Sequence, residues 1–244
     1  MLKHDVAGTG DPLLLMHSGV CDRRMWDPQW LTWSAGYRAV RCDLRGYGGS
    51  PIPREPYVDA DDVAELLDRL GIEQATVVGS SYGGRVALEL ASTHPKRVAR
   101  LLLLCSAFRG LPPTPAAERF DAEETELLDR GDIAGAVDLN VRTWLGPEAD
   151  DQTRERVVEM QRHALGVQLV AGDVPGPQAV HVDPAKIDIP ALVIVGGHDM
   201  DHFQAIGRHL AATLPQGRLL ELPWAGHLPS LERPAEVSAL LLSM

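Results

Sequence analysis

Cysteine is scarce in this 244-residue chain, and acidic residues outnumber basic ones. The three cysteines, Cys21, Cys42 and Cys105, are widely spaced and form no C-x-x-C pair, which argues against a disulfide framework and a thiolate zinc site. Such thiols are typical of a reducing compartment. The formal net charge of -11 argues against a nucleic-acid partner, because nucleic acids bind basic surfaces.

Long hydrophobic runs are also missing. The run at residues 101–104 is far too short to span a bilayer, and residues 1–5 lack the apolar core of a signal peptide. The sequence therefore predicts a protein with no membrane partner and a cytoplasmic location. Its length suits a single α/β unit with an insertion, which provides ample material for a hydrophobic core.

A G-x-S-x-G pattern at residues 79–83 is the most informative motif present. It follows an apolar run at 75–78 and precedes a helix-like stretch at 85–91, which is the context of a strand turning sharply into a helix. Such a turn lifts the central side chain out of the sheet, and the flanking glycines permit its strained backbone. Ser81 is therefore the candidate nucleophile, whereas Ser80 is out of frame with the glycines.

A candidate acid and a candidate base follow later, each on a loop after a predicted strand. The apolar run at residues 189–195 leads into Asp199, and the strand at 218–222 leads into His227. A histidine can take the proton of a serine while a carboxylate orients the ring. Asp201 is the alternative acid, because it lies on the same loop.

The chain carries four motifs that resemble those of the α/β-hydrolase superfamily and occur in the order expected for it. The resemblance covers nearly the whole chain. Besides the elbow and the order serine, acid, histidine, residues 17–20 look like the family's oxyanion loop, and residues 43–50 look like its Asp-x-Arg-Gly-x-Gly-x-Ser turn. Ser18 departs from the pattern, since relatives usually have glycine there. We expect His17 to organise the first of these loops, and Asp43 and Arg45 to hold the second through hydrogen bonds. The resemblance implies the α/β-hydrolase fold and chemistry that requires neither a metal nor an organic cofactor.

Strands and helices alternate along most of the chain, which favours a mostly parallel central sheet flanked by helices. Residues 3–6 and 13–16 predict an opening hairpin at the edge of this sheet. Residues 59–70 carry apolar side chains at helical spacing and predict a helix that ends at Gly71. Ligands in such sheets bind beyond the carboxyl ends of the strands, where the candidate catalytic residues are expected.

The alternation stops between residues 111 and 185, a stretch that begins and ends in proline-rich segments. Helices are predicted there at residues 118–130, 133–145 and 151–171. We therefore expect residues 1–110 and 186–244 to form the α/β-hydrolase core, and residues 111–185 to form an inserted helical cap. A cap of this kind covers the nucleophile and excludes water from the site.

The resemblance assigns roles to particular residues. It implies Ser81 as the nucleophile, His227 as the base and Asp199 as the acid that orients the histidine. The oxyanion would bind the backbone N–H of Tyr82 together with that of Gly19, or less favourably of Val20. Candidate pocket residues are Ser18, Val20, Trp26, Trp144, Met160 and Leu165. For any one of the cap residues among them, packing of the cap helices together is the favoured interpretation.

The sequence predicts a serine hydrolase whose partner is a small-molecule ester or lactone. A carbon–carbon bond hydrolase and a cofactor-free perhydrolase stay open, because the fold alone does not separate these activities. A receptor-like protein that binds a ligand with little turnover is the alternative from another class. Ser81 in place of an aspartate disfavours haloalkane dehalogenases and epoxide hydrolases. No metal site is predicted, because residues 198–202 are expected to form a loop, and the sequence indicates no oligomeric state.

Overall fold

A seven-stranded sheet forms the centre of the computed structural model, which describes residues 1–172 and 174–242. Its strands are β1 (His4–Ala7), β2 (Asp11–Met16), β3 (Tyr37–Cys42), β4 (Ala75–Ser80), β5 (Val98–Leu104), β6 (Ala191–Gly196) and β7 (Gly217–Leu222). They lie in the order β1-β3-β2-β4-β5-β6-β7, and each neighbouring pair is parallel except β1 and β3. The predicted mostly parallel sheet is confirmed.

Nine α-helices accompany the sheet within the described part of the chain. They are α1 (Asp27–Ser34), α2 (Asp59–Arg69), α3 (Tyr82–Thr93), α4 (Pro115–Asp129), α5 (Ile133–Trp144), α6 (Asp151–Ala171), α7 (Asp201–Thr213), α8 (Pro229–Glu232) and α9 (Pro234–Leu242). Helices α1, α3 and α7 pack on the sheet, and α2 packs against α3. None of these helices is both long and apolar enough to cross a lipid bilayer.

Side chains of the central strands alternate between two apolar cores, one on each face of the sheet. On β2, Leu14 and Met16 join one core, while Leu13 and Leu15 join the other. All four side chains are buried, as expected for a strand with helices over both faces. This double burial explains why the central strands are unbroken apolar runs in the sequence.

The predicted opening hairpin is wrong. β1 pairs antiparallel with β3, whereas β2 lies on the other side of β3 and also pairs with β4. The apolar run of β2 is buried on both faces, so the strand is placed inside the sheet rather than at its edge. The link between the two strands passes very close to β3, since a Cβ on Gly8 would lie 2.0 Å from the Tyr37 carbonyl oxygen. Glycine permits this crossing.

Three consecutive helices, α4, α5 and α6, separate β5 from β6, and they closely follow the predicted segments. Each begins at a side-chain cap, because Thr114, Asp132 and Asp150 accept hydrogen bonds from backbone N–H groups of the first turn. α5 packs against both α4 and α6. The division into a core and a cap domain at residues 111–185 stays a prediction.

The carboxyl ends of the parallel strands meet at one edge of the sheet. β2 leads into His17, β4 leads into Ser81, and the loops after β6 and β7 carry Asp199 and His227. In open α/β sheets this edge is where ligands bind. The topology therefore gathers at one place several polar residues that lie far apart in the sequence.

Candidate active site

Ser81 occupies a strained backbone position between β4 and α3. Its φ is 50° and its ψ is -110°, a combination that residues other than glycine rarely adopt. Its N–H donates to the Leu104 carbonyl oxygen at 2.9 Å, which ties the turn to β5. The flanking glycines are required by close contacts, since a Cβ on Gly79 would lie 2.4 Å from the Gly83 carbonyl oxygen, and one on Gly83 would lie 2.4 Å from that of Met16. This is the geometry of a nucleophile elbow.

Asp199 and His227 form a buried pair. The two carboxylate oxygens of Asp199 lie 2.9 and 2.8 Å from Nδ1 of His227. The Met200 backbone N–H also donates to this carboxylate at 2.7 Å. With Nδ1 donating to Asp199, Nε2 of His227 is the ring nitrogen available to accept a proton. Asp201, the alternative acid, instead accepts a hydrogen bond from the Thr114 hydroxyl at 2.6 Å.

Two aromatic rings and one backbone contact hold the His227 side chain in place. The centroid of its ring lies 4.7 Å from that of Trp144 and 4.2 Å from that of Phe203. Its backbone N–H donates to the Trp144 carbonyl oxygen at 2.8 Å. The preceding Gly226 allows this approach, because a Cβ there would lie 2.3 Å from the Gly146 nitrogen. The candidate base is therefore positioned partly by the end of α5.

The backbone N–H groups of Tyr82 and Gly19 are available to bind an oxyanion. Tyr82 is the first residue of α3, so its N–H has no partner within the helix and lies at the positive end of the helix dipole. The Gly19 N–H makes no hydrogen bond to a described residue. A Cβ on Gly19 would lie 3.6 Å from the Tyr82 Cβ, so the two residues adjoin. Paired N–H groups of this kind stabilise the charge of a tetrahedral intermediate.

His17 organises the loop that carries Gly19. Its ring is fully buried, Nδ1 donates to the Ser18 carbonyl oxygen at 2.8 Å, and Nε2 accepts from the Leu44 backbone N–H at 2.9 Å. Burial lowers the pKa of His17, which favours the neutral ring that this bonding pattern needs. The predicted loop-organising role of His17 is confirmed.

Asp43 has an equivalent structural role in the neighbouring turn. Its buried carboxylate accepts from the backbone N–H groups of Arg23 and Gly49 and from Nη1 of Arg23 at 2.5 Å. The Ser50 hydroxyl donates to the Asp43 carbonyl oxygen at 2.7 Å. The predicted role of Asp43 in holding its turn is confirmed.

A buried ionic cluster lies beneath the elbow. The Arg85 guanidinium on α3 lies 2.9 Å from Asp59 of α2 and 2.6 Å from Glu89. The Tyr82 hydroxyl donates to the same Asp59 carboxylate at 2.7 Å. Burial is the main cause that raises the pKa of the Tyr82 hydroxyl, so it remains a donor at neutral pH. The first turn of α3, which supplies the Tyr82 N–H, is thereby anchored to α2.

A cavity of about 330 Å³ brings the candidate residues together. Ser81 and His227 line it, and Gly19 and Tyr82 line it as well. The side chains of Ser18, Val20, Trp144 and Leu165, all named from the sequence, also line this cavity. Its volume lies in the range of small-molecule sites.

Trp26 and Met160, which the sequence places at the pocket, do not line it. Trp26 is fully buried and its ring packs against that of Trp33 at 5.8 Å, within the core on one face of the sheet. Met160 joins the same core and borders a separate cavity near Arg24. Successive helical residues point about 100° apart, so the next residue of α6, Gln161, takes the pocket position instead.

Sequence reasoning also missed several polar residues of the pocket wall. These are Tyr47, Glu124, Asn140, Gln161 and Gln168. A signal was present for Gln161, because it shares one helical stripe with the buried residues Val157, Met160, Ala164 and Leu165. A glutamine within an apolar stripe indicates a buried polar group that needs a partner.

In the described part of the chain, one group of side chains is of the kinds that bind metal ions. It includes Asp199 and His227. Ligand atoms of Cys105, Asp199 and His227 lie within 4.8 Å of one another. The carboxylate and the imidazole are already bonded to each other, and burial raises the pKa of the Cys105 thiol well above its usual range. A neutral thiol is a poor ligand, so the donor set fits an acid–histidine pair better than a metal centre.

Residues 13–240 match the family model described as the alpha/beta hydrolase family. The matched span includes residues 17–20, the turn at Ser81 and the loops that carry Asp199 and His227. The chain therefore belongs to the alpha/beta hydrolase family.

Relatives of the chain include enzymes with different named activities. BpoC of Mycobacterium tuberculosis strain H37Rv, whose name assigns it provisionally to the non-heme bromoperoxidases, is 31% identical over 99% of this chain and 96% of BpoC. The carboxylesterase YbfK of Bacillus subtilis strain 168 is 28% identical over 95% of this chain and 79% of YbfK. The crystal structure of the enol-lactonase from Burkholderia xenovorans LB400 has a TM-score of 0.80 and 27% identity, covering 99% of this chain and 95% of that one. Hydrolases are thus prominent among these relatives.

Proposed function

We propose that this hydrolase cleaves a small carboxylic ester or lactone through a covalent acyl-serine intermediate. The observation that carries the proposal is the meeting, in one cavity, of a strained Ser81, a buried His227 with its Asp199 partner, and two unpaired backbone N–H groups. Each of these features has a separate task in acyl transfer. The named activities of the carboxylesterase and enol-lactonase relatives agree with it.

In the first half of the reaction, the Ser81 hydroxyl attacks the substrate carbonyl carbon while Nε2 of His227 takes the hydroxyl proton. The carbonyl π electrons move to the oxygen, whose negative charge is stabilised by the N–H groups of Tyr82 and Gly19. Asp199 holds the ring through Nδ1 and stabilises the imidazolium. Collapse of the intermediate breaks the bond to the leaving alkoxide, which takes the proton from His227.

In the second half, a water molecule loses a proton to His227 and attacks the acyl-Ser81 carbonyl. The same two N–H groups receive the new oxyanion. The bond to the Ser81 oxygen then breaks, the serine regains its proton from His227, and a carboxylic acid is released. With a lactone the alcohol and acid are parts of one product. Ser81 and His227, the two residues that exchange protons in this scheme, both line the same cavity.

We further propose that residues 111–185 act as the cap over this site. Trp144 at the end of α5 and Leu165 of α6 line the cavity that contains Ser81. Phe120 of α4 packs edge-on against the Trp144 ring at a centroid distance of 4.7 Å. Helices packed over the site reduce the access of bulk water and strengthen the electrostatic interactions inside it.

The test is covalent labelling by a fluorophosphonate, followed by intact mass spectrometry and by hydrolysis of p-nitrophenyl acetate and butyrate. The wild type is expected to form one adduct and to turn over both esters. Ser81→Ala should do neither. Ser80→Ala is the matched control, because the Ser80 hydroxyl is buried without a hydrogen-bond partner in the described structure, and it should keep both properties.

An adduct that persists in Ser81→Ala would contradict the proposed nucleophile. Tight ligand binding with neither an adduct nor ester turnover would instead favour the receptor-like alternative.

A further inference from the structure

The pocket wall opposite the sheet contains an unpaired polar group. Gln161 of α6 lines the cavity with Ser81, and its side chain is almost completely buried. Its amide oxygen has no hydrogen-bond partner in the described structure. A buried amide oxygen that accepts no hydrogen bond is destabilising, so it needs a reason beyond packing. Facing a substrate cavity, such a group can be paired by the ligand.

A carboxylate shares this wall. Glu124 of α4 lines the same cavity and accepts a hydrogen bond from Nδ2 of Asn140 at 2.5 Å. The Asn140 side chain is otherwise occupied, because Nδ2 also donates to the Ala136 carbonyl oxygen and Oδ1 accepts from the Trp144 indole N–H at 2.8 Å. This network fixes the Glu124 carboxylate beside the cavity while leaving it further capacity to accept hydrogen bonds.

The negative charge at this wall has no basic partner among the described residues. Glu124 takes part in none of their ion pairs, and no lysine or arginine lines the cavity. The acidic surroundings therefore oppose a second negative charge, which would cost energy in a partly desolvated pocket. A group that donates a hydrogen bond without carrying negative charge is favoured instead.

We propose that Gln161 and Glu124 form a polar subsite for an uncharged amide or hydroxyl group on the acyl part of the substrate, and that they select against acyl chains ending in a carboxylate. This inference rests on the proposed function, because it names the substrate class of the same site. The donor hydrogen of the amide or hydroxyl pairs with the unpaired amide oxygen of Gln161, and the Glu124 carboxylate in the same wall favours such a donor over a second negative charge. The apolar remainder of the wall contacts the carbon chain.

The test compares three p-nitrophenyl esters of similar acyl length: the hexanoate, the N-acetyl-β-alanine ester and the monoadipate. They carry a methyl-ended chain, an internal amide and a terminal carboxylate. In the wild type, kcat/KM is expected to be about tenfold higher for the amide ester than for the hexanoate, and at least about tenfold lower for the monoadipate.

Two variants assign these preferences to residues. Gln161→Leu should lower the ratio of kcat/KM for the amide ester to that for the hexanoate by about tenfold, because a paired amide is lost. Glu124→Gln should raise the ratio of the monoadipate to the hexanoate by about tenfold, because the repelling charge is removed. Gln152→Leu is the matched control on α6: Gln152 is exposed and outside the cavity, so both ratios should stay at the wild-type values.

The two proposals fail in different ways. Wild-type protein that labels at Ser81 and hydrolyses all three esters, but whose ratios do not respond to either variant, would overturn the polar subsite alone. Wild-type protein that neither labels nor hydrolyses any ester would overturn the proposed function and the subsite with it.

Discussion

At the carboxyl edge of the sheet, backbone contacts hold the candidate catalytic groups, whereas α4, α5 and α6 contribute mainly side chains to the same cavity. The elbow is fixed by glycines whose replacement would bring a Cβ within 2.4 Å of a neighbouring backbone. On α6, by contrast, nothing lies within 4 Å of a Cβ placed on Gly166. The contrast teaches that the proposed chemistry depends on backbone geometry that tolerates little change, while the proposed substrate choice depends on side chains of the three helices.

The largest expected effect comes from removing the proposed nucleophile or the proposed base at the sheet edge. Ser81→Ala and His227→Ala should each lower kcat for p-nitrophenyl butyrate by about four to six orders of magnitude, because the residues of such a site act as a unit. KM and the thermal unfolding temperature should change far less. Steady-state kinetics on enzyme of verified mass provide the measurement, and substantial turnover by Ser81→Ala would contradict the mechanism.

The acid is next. Asp199→Asn should lower kcat by about three to four orders of magnitude, because an amide favours the wrong tautomer of His227. Asp201→Asn is the matched control on the same segment, since Asp201 bonds to the Thr114 hydroxyl rather than to the histidine. Its kcat should stay near the wild-type value. Equal losses in the two variants would show that the acid has been assigned wrongly.

A pair of glycine substitutions tests the two regions directly. Gly83→Ala in the elbow should lower the free energy of unfolding by about 2–4 kcal/mol, because the new methyl group collides with the Met16 carbonyl. Gly166→Ala in the middle of α6 should instead raise it by about 0.5–1 kcal/mol, because alanine favours the helix. Urea unfolding measures both. Similar changes in the two variants would remove the contrast between the regions.

The smallest effect is expected at Ser18, which lines the cavity on the oxyanion side. Ser18→Gly should change kcat/KM for p-nitrophenyl butyrate by no more than about tenfold, because the loop is held by His17 and by backbone bonds. The measurement is the same steady-state assay. Complete loss of activity would mean that the Ser18 hydroxyl takes part in the chemistry.

Much of the fold could be predicted because its signals are local. The elbow motif, the apolar strands and the helical segments of residues 111–185 each depend on a few neighbouring residues, and the structure forms them near the predicted positions. The opening hairpin could not be predicted, because pairing of β1 with β3 depends on contacts between distant segments. The proposed roles of Ser81, Asp199 and His227 stay predictions that the geometry supports.

The amino-acid sequence by itself determined the elements and the order of the polar residues that follow them, because glycine spacing and apolar runs act over short distances. Only the tertiary structure decided which side chains face the cavity. Met160 and Gln161 are adjacent in the sequence, yet the first packs in the core and the second lines the pocket. The physical reason is that a helix is oriented by everything packed around it, so a rotation of one residue separates a core position from a position that lines the cavity.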